Sequence, residues 1–158
     1  MKTEEVIGDY AIGGGMAALF YAEALATYDI DVFALIPSQS GPIIRLTAIY
    51  EWCKQRGFDA DAEHVVVHSV PVQFLAANEG IENEAVRRAR TFDYQGVPVR
   101  VMEPEYLAVL SVLAGGSKRR ERTGSLFEAD AIDREKLRSI LARYNLAAEW
   151  HEKWGHDV

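Results

Sequence analysis

The apolar positions of this chain change period several times, and each change marks an element. Tyr10 to Ile12 is a short apolar stretch, the start of a strand or the last turn of a helix, that runs into Gly13-Gly14-Gly15. Gly15 to Leu25 is apolar on almost every side, which predicts a buried helix. Tyr28 to Ile36 is near-continuously apolar except at Asp29 and Asp31, which predicts a strand central in a sheet. Pro37-Ser38-Gln39-Ser40-Gly41-Pro42 is a turn-rich loop. Ile44 to Arg56 has the pattern of an amphipathic helix, and Gly57 closes it.

His64 to His68 and Val70 to Leu75 read as strands. Ile81 to Arg90 predicts a helix, with Glu82 and Glu84 at its positive end and Arg87, Arg88 and Arg90 at its negative end. Thr91 to Tyr94 and Val97 to Met102 flank Gln95-Gly96, a hairpin signal. After Glu103-Pro104 the period is helical over Glu105 to Leu113, Lys118 to Glu128, Arg134 to Tyr144 and Ala147 to Trp154. The expected class is α+β: a small mixed β-sheet with helices in residues 1–103, then a helical C-terminal region in residues 104–158.

With 158 residues the expectation is a single domain with a sizeable core. A net charge of −7 argues against unspecific binding to double-stranded DNA, RNA or anionic membranes, although a local basic patch can still grip phosphate. The single cysteine, Cys53, excludes an internal disulfide and a thiolate zinc cluster. Its place in a helical pattern with Ile49 and Trp52 marks it as core. Met1-Lys2-Thr3-Glu4-Glu5 lacks an apolar signal core, and no apolar run approaches the ~18 residues of a membrane span. The expected location is cytoplasmic.

Candidate chemistry concentrates between Ile12 and Phe33. Asp29 and Asp31, two positions apart among β-formers, project from one face of a strand, roughly 7 Å apart along the backbone. Carboxylates so placed converge on one or two divalent cations, and two ions about 3.5–4 Å apart are a common device for in-line attack on phosphorus. The glycine turn before the helix offers free backbone N–H groups and a positive dipole end, which suits phosphate. Gly14 and Gly15 lack side chains that would block that approach.

The order and spacing of these residues resemble the signature of the DNA polymerase beta-type nucleotidyltransferase superfamily. It reads here as Gly14-Gly15-Met16-Ala17, a helix, then Asp29-Ile30-Asp31-Val32. Gly-Gly-x-Ala followed by Thr-x-Asp-Ile-Asp resembles small bacterial nucleotidyltransferase-like proteins, some related to toxins or antitoxins. Pro71 to Leu75 and Val99 to Leu107 resemble later segments of the same proteins. The resemblance implies a nucleotidyltransferase fold, a Mg²⁺ or Mn²⁺ cofactor on Asp29 and Asp31, and a nucleoside triphosphate substrate. It further implies a hydroxyl acceptor on a protein, RNA or small molecule, or a toxin or antitoxin partner protein. Ser38 and Ser40 are candidates for added nucleotide contacts, with plain turn chemistry as the alternative.

The chain departs from that pattern in two places. Active members often carry a third acid on a neighbouring strand, as metal ligand and base for the incoming hydroxyl. The matching position here is Gln73. Its amide oxygen can ligate a metal but is no general base. Asp59, Asp61, Glu63 and Asp93 are other acids in the region, read as solvated. The second departure is Gly115-Gly116-Ser117-Lys118-Arg119, where relatives have Lys-Asp and this chain has Lys-Arg. Lys118, Arg119, Arg120 and Arg122 form its densest positive cluster. That cluster is either a phosphate-binding patch or a solvated helix face paired with acids such as Glu121. His64, His68, His151 and His156 lack metal-protease spacing and read as packed or exposed. The chain is thus read either as a Mg-dependent nucleotidyltransferase or as a catalytically impaired binding module on the same fold.

Overall fold

A central strand that carries Asp31, with Asp29 just before it, holds the molecule together, and helices pack on both of its faces. The computed structural model describes residues 1, 4, 6–23, 26–37, 42–155 and 158, without the side chains of residues 42–45. Ser38, Ser40 and His156 fall outside the described residues. In chain order the elements are β1 (Asp9–Ile12), α1 (Gly14–Ala18), β2 (Ile30–Leu35), α2 (Pro42–Lys54) and β3 (Ala60–Asp61). Then follow β4 (His64–Val67), β5 (Val70–Ala76), α3 (Ile81–Arg88), β6 (Arg90–Tyr94) and β7 (Val97–Val101). Four helices close the chain: α4 (Pro104–Ala114), α5 (Ser117–Glu128), α6 (Arg134–Arg143) and α7 (Ala147–Trp154).

The described strands form one mixed sheet in the order β3-β4-β5-β2-β1-β7-β6. β2 is its middle strand, as its apolar run predicts, antiparallel to β1 and parallel to β5. The sheet is larger than the sequence suggests because β3 pairs with β4 through only Ala60 and Asp61, too short a run to show a period. Gln95 (φ 54) and Gly96 (φ 83) both take the left-handed conformation of the tight turn between β6 and β7.

Alternation along β2 separates two cores. Ala34 faces Ile49, Cys53 and Val65, beneath α2. Phe33 and Leu35 face the other side, where Ala11 and Val101 of the sheet meet Tyr106, Leu107 and Val109 of α4, Leu126 of α5, and Leu137 and Ile140 of α6. Asp31 shares the parity of Phe33 and Leu35, so its side chain points to the face that α4 and α5 cover.

The predicted helix over Gly15 to Leu25, of which Ala24 and Leu25 lie outside the described residues, is corrected by the structure. α1 spans only Gly14–Ala18, and turns follow it, with Phe20 N–H donating to Ala17 O (3.2 Å) and Tyr21 N–H to Ala18 O (3.0 Å). The cause is non-local: the rings of Phe20 and Tyr21 pack on Phe92 of β6, 5.1 and 5.6 Å between centroids. The predicted strand from Tyr28 begins at Ile30, so Asp29 sits on the lead-in to β2.

A buried polar network fastens the helical region. Glu105, 1% exposed, accepts from the N–H of Asp133 at 2.9 Å. Lys136 Nζ lies 3.0 Å from Glu105 Oε2 and 2.7 Å from Glu103 Oε2. These are ion-pair contacts whose angles fall outside those of a hydrogen bond. Arg90 reaches Glu103 at 3.2 Å and ties β6 to the same network. Trp150 and Trp154 of α7 pack on Phe127 of α5, with centroids 6.4 and 5.7 Å apart, so α7 docks on α5.

Candidate active site

The end of β1 abuts the acid strand directly, because Gly13 N–H donates to Asp31 O at 2.8 Å. Gly14 then turns with φ +59, and a Cβ there would fall 1.8 Å from Asp31 Oδ2. No other residue lets the Asp31 carboxylate lie against bare backbone at this point. A Cβ on Gly15 would meet Thr27 Oγ1 at 2.8 Å and Arg122 Nη2 at 3.0 Å. The glycine turn therefore brings a carboxylate, a hydroxyl and a guanidinium within touching distance.

The two acids are held differently. Thr27 Oγ1 donates to Asp29 Oδ1 at 2.8 Å and orients that carboxylate. Asp31 stands in register with Gln73 on β5, and Gln73 with His64 on β4, so the three share a row on one face. Burial raises the pKa of Asp31 above the ordinary carboxylate value. The charge of Asp29 pushes it the same way, while Arg122, Arg119 and His64 pull it down. A carboxylate that resists ionising beside another carboxylate has a standing deficit of positive charge.

Much of that positive charge comes from α5. Its first turns line a cavity of about 940 Å³ together with Thr27, Asp29, Asp31 and Gln73. Gly115 and Gly116, at φ 73 and 93, turn the chain from α4 into α5. No side chain caps the N-terminus of α5, whose free amides and dipole add positive potential. Lys118, Arg119 and Arg122 face this cavity. Burial lowers the pKa of Arg122 and the charge of Asp31 opposes that shift, as expected of a half-buried cation facing an acid.

Arg120 leaves the cluster. It donates to Lys153 O and Trp154 O, each at 2.6 Å, and lies 4.9 Å from the centre of the Trp154 ring. It caps α7 rather than serving the cleft. Helical spacing was a signal for the division: positions 118, 119 and 122 share one face, and 120 lies off it.

Of the residues singled out from the sequence, Asp29, Asp31, Gln73 and Lys118 line the same cavity, and Gly14 and Gly15 lie against it through Asp31 and Arg122. Ser38 lies outside the described residues. Asp93 accepts from Gly96 N–H at 3.0 Å within its hairpin turn, away from the cleft. Among the described residues no three His, Cys, Asp or Glu side chains gather into a set able to hold a metal alone. The cavity wall offers the carboxylates of Asp29 and Asp31 and the Gln73 amide as hard-oxygen donors, with Glu121 of α5 also on it. That set fits Mg²⁺, which is commonly bound through one or two carboxylates plus substrate phosphates. The sequence reading did not single out Thr27, Tyr28 or the individual role of Arg122.

No family model matches the chain, and no curated protein sequence matches it. Solved structures do. An antigenic nucleotidyltransferase-like protein from Paracoccidioides brasiliensis superposes with a TM-score of 0.54 at 15% identity, over 95% of this chain and 85% of that one. The antibiotic-resistance factor ANT(2'')-Ia in solution gives 0.50 at 17% identity, over 98% and 92% of the two chains. ANT(2'')-Ia in complex with adenylyl-2''-tobramycin gives 0.52 at 15% identity, over 91% and 90%. The chain therefore has the nucleotidyltransferase fold.

Proposed function

We propose that the cleft between β2 and α5 binds a nucleoside triphosphate with a divalent cation and transfers its nucleoside monophosphate to a hydroxyl acceptor. The observation that carries this reading is the placement of Asp29 and Asp31 opposite Lys118, Arg119 and Arg122 across one cavity beside Gly14 and Gly15. Carboxylates alone would repel a triphosphate and cations alone would not hold Mg²⁺. The two together suit a metal–triphosphate.

In this scheme Asp29 and Asp31 hold the ion, with Gln73 as a neutral third oxygen ligand. Bound there, Mg²⁺ or Mn²⁺ would polarise the α-phosphate and offset its charge. Thr27 fixes the Asp29 carboxylate. Gly14 and Gly15 let phosphate oxygens approach the backbone, and Arg122, Arg119 and Lys118 neutralise the triphosphate. The acceptor oxygen bonds to the α-phosphorus, the bond from that phosphorus to the bridging oxygen breaks, and pyrophosphate leaves. The acceptor proton passes to water or to a phosphate oxygen, because Gln73 takes no proton.

The test is label transfer. Protein, Mg²⁺ and each nucleoside triphosphate labelled at the α-phosphate are incubated with protein, RNA and aminoglycoside acceptors. Label should move to one acceptor class with wild type and not with Asp29→Asn/Asp31→Asn. Label transfer that survives the double substitution contradicts the site.

A second reading is favoured by Gln73 itself. Without a third carboxylate the protein is a nucleotide-binding module that acts through a partner protein, of toxin or antitoxin type. Mg-dependent nucleotide binding without transfer to any acceptor, together with a stable complex with a partner, distinguishes it.

A further inference from the structure

We infer that Tyr28 is the stacking platform for the nucleobase of the triphosphate, an inference that rests on the metal–triphosphate reading of the cleft. The cavity is lined by charged and polar groups, by Ala26 and by the bare backbone of Gly115 and Gly116; among the described residues, Tyr28 is the only aromatic side chain on its wall. The residue is 82% exposed, and it makes no hydrogen bond or ring contact among the described residues. Tyr21, Tyr50, Tyr106 and Tyr144, by contrast, are packed against the protein or bonded to it. Among the described residues, this large ring at the mouth of a charged pocket has no ring or hydrogen-bond partner.

The chemistry of the ligand supplies one. A nucleoside triphosphate is charged at one end and flat and aromatic at the other. Its phosphates belong with Gly14, Gly15 and Arg122, where backbone and cations converge. Tyr28 is next in sequence to Asp29 and borders the same cavity, so the base emerging from a metal-bound triphosphate meets its ring. Space beside Gly115 is open to 4 Å, which leaves room for a planar group to enter from the α5 side. Stacking on an aromatic face tolerates any base, so Tyr28 contributes affinity for nucleotides as a class.

The test compares Mg-dependent binding of ATP, GTP, CTP and UTP with that of inorganic tripolyphosphate, by calorimetry. It uses wild type, Tyr28→Ala and Tyr28→Phe. Tyr28→Ala should weaken each nucleotide about tenfold, the scale of one lost base–aromatic stack. Tyr28→Phe should bind as wild type does, and tripolyphosphate should bind all three proteins alike. Equal nucleotide affinity in wild type and Tyr28→Ala, with tripolyphosphate still bound, overturns the platform and leaves the metal–triphosphate site standing. Loss of tripolyphosphate along with nucleotide in Tyr28→Ala assigns the residue a structural part and overturns the inference too. Binding of neither ligand to wild type overturns both readings.

Discussion

Asp31 and Gln73 stand opposite one another on parallel strands β2 and β5. An amide thus occupies the position beside the half-buried acid where a third carboxylate would add a charged donor. Gln73→Glu restores that charge within the same side-chain length. A third carboxylate would add repulsion to Asp31, so the metal-free variant should melt a few degrees below wild type. It should bind Mg²⁺ about tenfold more tightly and, if transfer occurs, speed it by the ~10²-fold or more that general-base help supplies. Metal titration followed by thermal melting checks the first two effects, and label transfer checks the third.

The raised pKa of Asp31 has a sign that stability must follow. The folded protein holds this proton more tightly than the unfolded chain does. Stability from that source is full below the ordinary carboxylate pKa and is lost as pH rises through the raised value. Asparagine carries no such cost. Without metal, Asp31→Asn should melt above wild type at pH 7, and the gap should close as pH falls below about 4. Melting curves across that range decide it.

Arg122 and Arg120 are two residues apart on α5 and do different work. Arg122 faces the cleft acids, so Arg122→Gln should weaken triphosphate binding about tenfold, since hydrogen bonds to charged groups contribute about 1.5–3 kcal/mol. Arg120 bonds the last carbonyls of α7, so Arg120→Gln should cost about 1 kcal/mol of stability and leave nucleotide affinity unchanged. Urea unfolding and calorimetry on both variants separate the two roles.

Glu105 is buried and shared between the Asp133 amide and Lys136. Glu105→Ala removes the acceptor of the Asp133 amide and one of the two carboxylates at Lys136, and should cost about 2–4 kcal/mol, with Lys136 retaining its contact to Glu103. Glu105→Gln keeps an acceptor for the Asp133 amide and should cost less. Urea unfolding of the two variants gives the comparison.

The legible part of this protein was local. Gly14, Gly15, Asp29 and Asp31 lie within the β1–α1–β2 unit, and their order and spacing single them out. The resemblance matched Gln73 to the position of a third acid, and the structure sets it in register with Asp31. Features set by distant partners were not legible. α1 stops at Ala18 because Phe20 and Tyr21 pack on Phe92, some seventy residues away in the sequence. Arg120 is drawn from the cluster by a helix that docks only at the end of the chain. Tyr28 drew no attention because exposure is a property of the fold, not of its neighbours in sequence.

Thermal melting with Mg²⁺ and each nucleoside triphosphate tests the central claim most directly, since a ligand that binds only the folded state must stabilise it. Wild type should melt several degrees higher when Mg²⁺ and a triphosphate are both present, and Asp29→Asn/Asp31→Asn should not. An unchanged midpoint in wild type, or an equal rise in the double variant, would contradict a metal–triphosphate site at these two acids.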